Sequence, residues 1–565
     1  MISKFFKIIF IIISFFFANQ ANSKNIDYNF NKSELSNYLS AIISFNNHEN
    51  EQSLNYFNSS KRLLRNHENY LKQYVFSLVV NQKVKRAIQE IKVLENKENV
   101  YFFESYVLLS LDSILKKKYK NSEKYINYLS KFKNQGPYEK AIFNTLKIYT
   151  STFKNKKLSF QKSNFENLDL LNNTFLKCYL NDTSINASFD NLINSASIDY
   201  SRYLFFYANY LLHENKKDEA KKLFLNQDPL NSGLLLLQTK DWLINNQTKK
   251  ITSIFSCKSE KDLLAEFFFL ISNLYATQGD LVKSNFYLGV SNFLNNKFKA
   301  NKLLAVENYY NLGKFDETKK ILNNFTAEDK MFYWFKVKTN TKIIASTQNK
   351  DQALNYVDSE FKKIKKKTDK INFDMANIYK NYKKYNKAII LYSELMENFE
   401  KNSDNYAGLL FRRGGSNERL GNYKKSDKDL LLALKISPND SYTLNYLAYS
   451  WLERKMNISK AVKMLEIANK INENDPYITD SVGWGYFLTG RYDEAEKFMR
   501  RAIILMPNDP VINDHYGDIL WKLNKKLQAK FYWESVLNLE DTEDDMIEKV
   551  KIKLLKGLKI ESNSS

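Results

Sequence analysis

Three alanines set the frame of this chain. Ala461, Ala495 and Ala529 stand 34 residues apart, Ala468 and Ala502 follow the first two by seven, and Asp475-Pro476 returns as Asp509-Pro510. A fixed period of this length reads as one supersecondary unit that cannot bury its apolar face alone and stacks on copies of itself. Gly483 and Ala495 fall where two antiparallel helices would cross, and only small side chains allow a close approach there. Asp475 or Asp509 can cap a helix N-terminus, and the following Pro takes the first helical position, where its missing N–H costs nothing. Each period is therefore helix, turn, helix and a new start.

The central period runs Ser481-Val-Gly-Trp-Gly-Tyr-Phe-Leu-Thr-Gly-Arg-Tyr-Asp-Glu-Ala, then Ala502 and Pro507. It resembles the tetratricopeptide repeat, whose pattern has a Leu-Gly pair, a Tyr, a Gly at the turn, an Ala, an aromatic and a Pro. An upstream unit keeps the marks at Gly414, Gly421, Tyr423, Ser426, Ala433 and Pro438, and joins the next with one extra residue. The resemblance implies an all-α fold: a TPR-type helix-turn-helix solenoid wound as a right-handed superhelix. Gly and Pro together number only 20 of 565 residues, so long helices and short turns fit and a β-sandwich or barrel does not.

Weaker copies extend upstream. Residues 24–158 read as degenerate TPR-like repeats, with Ala41, Ser53 and Phe57, then Ala87, then Tyr119 and Ser122 as their marks. Residues 159–260 turn rich in Asn and Ser and read as an irregular helical region holding one TPR-like repeat. Residues 261–370 carry further TPR-like repeats, where Tyr275, Gly279 and Ser284 are matched 34 later by Tyr309, Gly313 and Thr318. The regular array spans 371–540, and 541–565 is a polar-faced capping helix and tail of the kind a solenoid end needs.

The first 23 residues stand apart. Lys4 and Lys7 precede an apolar run from Ile8 to Phe17 and then Ala21-Asn22-Ser23, the layout of a secretory signal peptide, too short in its apolar part for a membrane span. An exported, periplasmic protein is expected, soluble or peripherally membrane-associated. The net charge of +22 invites a nucleic-acid reading, which export argues against. Lys is spread along the chain rather than clustered, and favours only weak association with an anionic envelope surface. The run Lys362 to Lys367 reads as a solvated face or turn before an acidic-partner contact. Cys178 and Cys257 are the only cysteines. A simple solenoid would not bring them together, so two buried free thiols are expected.

Catalytic chemistry finds no foothold. The four histidines, 48, 67, 213 and 515, share no metal-ligand spacing. No phosphate loop, nucleophile elbow, zinc-protease or paired-cysteine motif occurs. No enzyme activity, metal or cofactor is expected.

Binding has more behind it. In the family, the first helix of each repeat lines a concave groove, and residues spaced i, i+3, i+7 and i+10 share that face. The resemblance then assigns to the groove Tyr442, Asn445, Tyr449 and Leu452, next Tyr477, Asp480, Trp484 and Phe487, and next Val511, Asp514, Asp518 and Trp521. Aromatic and acidic groups there would suit a peptide or helix with apolar and basic side chains. The alternative has Trp484 and Trp521 as packing between repeats and the acids as solvated or capping groups. The Lys/Asn/Arg pattern with which some relatives clamp a terminal carboxylate is absent, Asn445, Asp480 and Asp514 standing at the matched places.

A narrower resemblance covers roughly the last 130 residues. Asp509-Pro-Val-Ile-Asn-Asp-His-Tyr-Gly-Asp-Ile-Leu-Trp, continuing to Ala529-Lys-Phe-Tyr-Trp533, looks like the last repeats of exported TPR proteins of Gram-negative proteobacteria. It implies a non-enzymatic protein-protein interaction scaffold of the cell envelope. The alternatives are a subunit of an envelope polysaccharide or secretion assembly and, in a contrasting class, a cell-wall-acting enzyme on a helical array. Neither the partner nor the oligomeric state follows from the sequence.

Overall fold

The computed structural model describes residues 31–65, 69–94, 102–159, 165–194, 202–539 and 542–558. Among them lie thirty α-helices, two short 3-10 helices and no strand. None of these helices is long and apolar enough to cross a membrane. The expected signal peptide, residues 1–23, lies outside the described residues. Two compact units emerge: the chain up to Gln227 with Gly233–Lys336, and Asp228–Ser232 with the chain from Val337 on.

In the C-terminal unit, helices alternate as leading and trailing members of pairs. Asp369–Asn381 leads Tyr385–Met396, Asp404–Arg419 leads Tyr423–Ile436, and Ser441–Glu453 leads Ile458–Ile471. Pro476–Leu488 then leads Tyr492–Leu505, and Pro510–Lys522 leads Lys526–Leu537. The starts are capped as the sequence suggests: Asp475 Oδ1 accepts from the amides of Tyr477 and Ile478, each at 3.0 Å, and Asp509 repeats the arrangement on Val511 and Ile512. The crossings are tight. A β-carbon on Gly483 would stand 3.1 Å from Met499 Cε and 3.3 Å from the Ala495 carbonyl oxygen, so the small pair sets the distance between its two helices. Ala461, Ala495 and Ala529 are fully buried in one apolar core running from Leu430 to Val550.

The turn inside each pair has a backbone signature that outlasts its sequence. One residue sits in the left-handed region, and the amide after it bonds back five residues, which satisfies carbonyls the helix end would otherwise leave open. Gly421 and Gly490 hold the position at φ 73° and 75°, but Lys383, Lys455 and Asn524 hold it elsewhere in this unit. The return bonds, Arg491 N to Tyr486 O and Lys525 N to Leu520 O, are 2.9 Å in both cases.

The same signature runs through the N-terminal unit. His48, Gln82, Lys117, Asn181, Asn215, Asn246, Gly279 and Gly313 are the left-handed turn residues between successive helices. The loosely marked upstream segments are thus built as the same helix pairs, with serines where the C-terminal unit uses Gly and Ala. Ser110 Oγ lies 2.9 Å from Ser122 Oγ and Ser272 Oγ 3.2 Å from Ser284 Oγ across their helix crossings. Ala41, Ser53 and Phe57 are fully buried, as are Ala87 and Ser122. In 159–260 the trailing helices shorten to Lys217–Lys222 and Thr248–Thr252.

This unit also folds onto itself. The hairpin of Glu260–Thr277 and Leu281–Leu294 packs on helices far earlier in the chain. Phe286 stacks on Phe76 with ring centroids 4.3 Å apart. Tyr275 donates to Glu139 at 2.9 Å, and Lys283 donates to the same carboxylate at 3.0 Å. Arg202 holds Glu266 by two bonds of 2.8 Å. Gly289 lies so close that a β-carbon there would come within 2.8 Å of the Val79 carbonyl oxygen. This return corrects the expectation for the cysteines: Cys178 and Cys257 form a disulfide, their Cα atoms 5.8 Å apart. Stacking each repeat on its neighbour alone would keep them apart, whereas the returning hairpin carries Cys257 back to the helix Glu166–Leu180.

Candidate functional site

The positions assigned from the sequence all fall on leading helices of the C-terminal unit. Tyr442, Tyr477 and Val511 occupy one register position at the start of three successive helices and are exposed, the two tyrosines by 54% and 53%. They form a rim open to solvent. One turn further on, the assigned residues turn inward and engage each other.

Asp480 is buried and shares a hydrogen bond of 2.9 Å with His515 Nδ1. Burial would strip the proton from His515, but the carboxylates of Asp480, Asp514 and Asp518 outweigh it and raise the imidazole above its ordinary value. Trp484 lies flat on this ring, with centroids 3.9 Å apart and planes 12° from parallel, and stacks on Phe487 at 4.7 Å. Its indole N–H donates to Glu453 at 2.9 Å, which ties it to the preceding repeat. Trp484 thus packs against the rings of Phe487 and His515, the latter on the next leading helix.

The next acids are also partnered from within. Asp518 accepts from the Trp533 indole at 3.0 Å, and Lys553 donates to Asp514 at 2.7 Å and to Asp518 at 2.8 Å. Lys553 belongs to the final helix, Asp544–Lys556. Burial pushes the Asp518 carboxyl up to about 6, against the pull of Lys553 and with the help of Asp514. Trp521 is half-buried beside Trp533, ring centroids 5.3 Å apart, and Gly557 closes over it so tightly that a β-carbon would collide with the indole. The acidic character read from Asp480, Asp514 and Asp518 is thus met by His515 and Lys553. Tyr449 is half-buried; burial, with Glu453 and Asp480 nearby, raises its hydroxyl well above the usual range. Asn445 keeps a buried side-chain oxygen that no protein donor reaches.

An open cleft lies one repeat earlier, and of the positions assigned from the sequence Tyr442 lines it. Stepping the register back by one unit from Tyr442, Asn445, Tyr449 and Leu452 leads to Gly408, Phe411, Gly415 and Glu418. Residues 404–412 of one leading helix, Ala433 to Asp440 at the end of its trailing partner and in the following turn, and Tyr442 and Thr443 of the next leading helix enclose a cleft of about 670 Å³ there. Gly408 makes the hollow, since a β-carbon on it would meet only Arg412 Nη1, at 3.9 Å. The signal was present in the sequence, as a glycine at a groove position where other repeats carry Tyr or Val.

No group of three or more His, Cys, Asp or Glu side chains that could hold a metal occurs among the described residues. His48 and His213 lie in the N-terminal unit, and His67 falls outside the described residues.

A family profile described as "Tetratricopeptide repeat" matches residues 407–440, the unit that contains Gly408, Arg412 and Gly421. No curated protein matches the chain significantly. Among solved structures, the chain is similar to TTC0263, a thermophilic TPR protein of Thermus thermophilus, at 16% identity over 33% of this chain and 100% of that one, with a TM-score of 0.30. It is also similar to MamA from Desulfovibrio magneticus RS-1, at 19% identity over 31% of this chain and 97% of that one, with a TM-score of 0.27. Residues 407–440 thus match the tetratricopeptide repeat, and the helix pairs with left-handed turns around them repeat the same build.

Proposed function

We propose that this protein is a non-enzymatic scaffold of the bacterial cell envelope that holds a segment of a partner protein in the concave groove of its C-terminal unit. The observation that carries the reading is the cleft at Gly408, continuous in register with the exposed rim of Tyr442, Tyr477 and Val511. A hollow bordered by aromatic side chains on rigid helices is the kind of surface that anchors one side chain of a partner and aligns the rest. Export is supported by the pattern of residues 1–23 and by the disulfide, which persists in oxidising compartments. Weak association with anionic envelope surfaces is compatible with the +22 charge.

The test is crosslinking in the native envelope from photoreactive residues placed at Tyr442 and Tyr477, with Ile504, 74% exposed on a trailing helix, as the control position. One partner captured from both rim positions, absent from Ile504 and lost in Gly408→Leu, is the expected result. Identical products from Ile504, or capture unaffected by Gly408→Leu, would sink the groove reading. Capture of a membrane barrel or a polysaccharide synthase would identify the partner as part of a secretion or polysaccharide assembly.

A further inference from the structure

The trailing helices of the C-terminal unit have a second side, opposite their crossings. The leading helices from Asp404–Arg419 to Pro510–Lys522 pack on one another, and each trailing helix packs on the leading helices before and after it, which leaves its far side to solvent. The register says which residues stand there. Ser426, Ala461, Ala495 and Ala529 are the fully buried crossing residues of successive trailing helices, and two steps along a helix turn the side chain by about 200°. Two residues on come Lys428, Lys463, Lys497 and Phe531, all exposed. Seven further along the first three helices come Lys435, Lys470 and Ile504, exposed as well.

In a chain of net charge +22, lysines stand on every surface, so their presence alone says nothing. Their distribution does. The four trailing helices from Tyr423–Ile436 to Lys526–Leu537 carry twelve Lys or Arg against seven Asp or Glu, whereas the four leading helices from Asp404–Arg419 to Pro510–Lys522 carry four against six. Positive charge is sorted onto the outer helices. Most of their acids are turned to partners: Asp427 accepts from Arg454, Asp429 from Arg413, Glu466 from the Tyr486 hydroxyl, Glu494 from Arg491, and Glu496 from Lys525 and Arg500. Asp493 and Glu534 remain, against Lys428, Lys435, Lys463, Lys470 and Lys497, none of which has an ion pair among the described residues.

Where the lysines end, apolar side chains follow on the same side. Ile504 is 74% exposed, and Leu527 and Phe531, four apart on one side of their helix, are 87% and 62% exposed. A face that served solubility alone would not carry them. Basic side chains beside exposed Leu, Ile and Phe are the composition of a surface that lies on a bilayer. Long ammonium arms one repeat apart need no recess, because a fluid layer of phosphate headgroups adjusts to them.

We propose that this outer side is a docking surface for an anionic lipid bilayer, which gives the weak surface association of the envelope reading a place on the molecule. The lysines meet headgroup phosphates, and Ile504, Leu527 and Phe531 enter the interface beneath them. Tyr442 and Tyr477 belong to leading helices, so lipid docking leaves the rim open to a partner.

The experiment floats the full chain with vesicles of phosphatidylcholine, alone or in an equal mixture with phosphatidylglycerol, over a salt series. Attachment to the mixed vesicles should be at least about tenfold tighter at low salt, with the advantage shrinking as salt rises. Lys428→Glu, Lys463→Glu and Lys497→Glu together should remove most of that advantage, and Leu527→Ser with Phe531→Ser the attachment that persists at high salt. All five side chains are exposed, so the melting temperature should stay in place. The control is the same charge change at Lys85, Lys120 and Lys217, exposed lysines of the N-terminal unit. An equal loss there leaves association to net charge and overturns the docking surface. No preference for the mixed vesicles, or a preference untouched by the three outer substitutions, overturns it too, and the former removes the weak surface association with it. Attachment of the outer lysines to polyglutamate but not to vesicles would assign them to an acidic polymer and overturn the lipid assignment. Gly408→Leu should leave flotation unchanged, so failure of the groove and failure of the lipid surface are read separately.

Discussion

Asp518 shows how one residue is read differently in sequence and in space. By register it faces the groove, yet it is buried between Trp533 and Lys553, and its carboxyl is pushed up to about 6 from the usual 3.8. A carboxyl raised on folding binds protons in the folded state that the unfolded chain has released. Its contribution is full below the unfolded value and is lost as pH rises through about 6. His515, also raised, contributes in the same direction, most below its ordinary value and less as pH climbs through its folded one. Asp518→Asn should therefore flatten the fall in stability of the C-terminal unit between pH 3.8 and about 6 relative to the parent chain. Urea midpoints of both proteins across that window check it, and parallel curves would contradict it. Trp484 carries a related lesson. Its spacing placed it on the groove face, but spacing cannot tell a partner anchor from a ring that covers a histidine on the next helix.

The helix pair was the most legible element. Period, caps and small crossing residues are local properties, and Gly483, Ala495, Asp475 and Asp509 do in three dimensions what their chemistry requires. Gly483→Leu forces a branched side chain against Met499 and the Ala495 backbone and should cost on the order of 1–3 kcal/mol. Thermal unfolding followed in the C-terminal unit should move down, and an unmoved transition would place the helix crossing elsewhere. Upstream the same element was faint because its two identifying positions tolerate substitution. A left-handed turn costs Lys, Gln or His only a modest amount where a glycine would be free, so His48, Gln82 and Lys117 hold the turn without announcing it. Serine pairs hydrogen-bonded across a crossing pack nearly as closely as Gly and Ala, which hides the other mark.

At the scale of the molecule, the N-terminal unit holds one apolar core from Tyr38 to Phe332 and the C-terminal unit a separate one from Leu430 to Val550. The disulfide closes a loop of 79 residues in the first. Replacing both Cys178 and Cys257 by Ala should lower the stability of that unit by about 2–4 kcal/mol and leave the unfolding of the C-terminal unit in place. Differential scanning calorimetry of the full chain reads the two apart, and a common downward shift would show one cooperative whole. By itself the sequence determined the period, the helical class and the capping, because each depends on residues within a turn or a repeat of one another. The tertiary structure alone decided that Cys178 meets Cys257, that the hairpin from Glu260 returns onto the first helices, and which groove charges are already satisfied. Those outcomes rest on contacts between residues far apart in the chain, and no local pattern encodes whether a charge on a helix face will find its counter-ion.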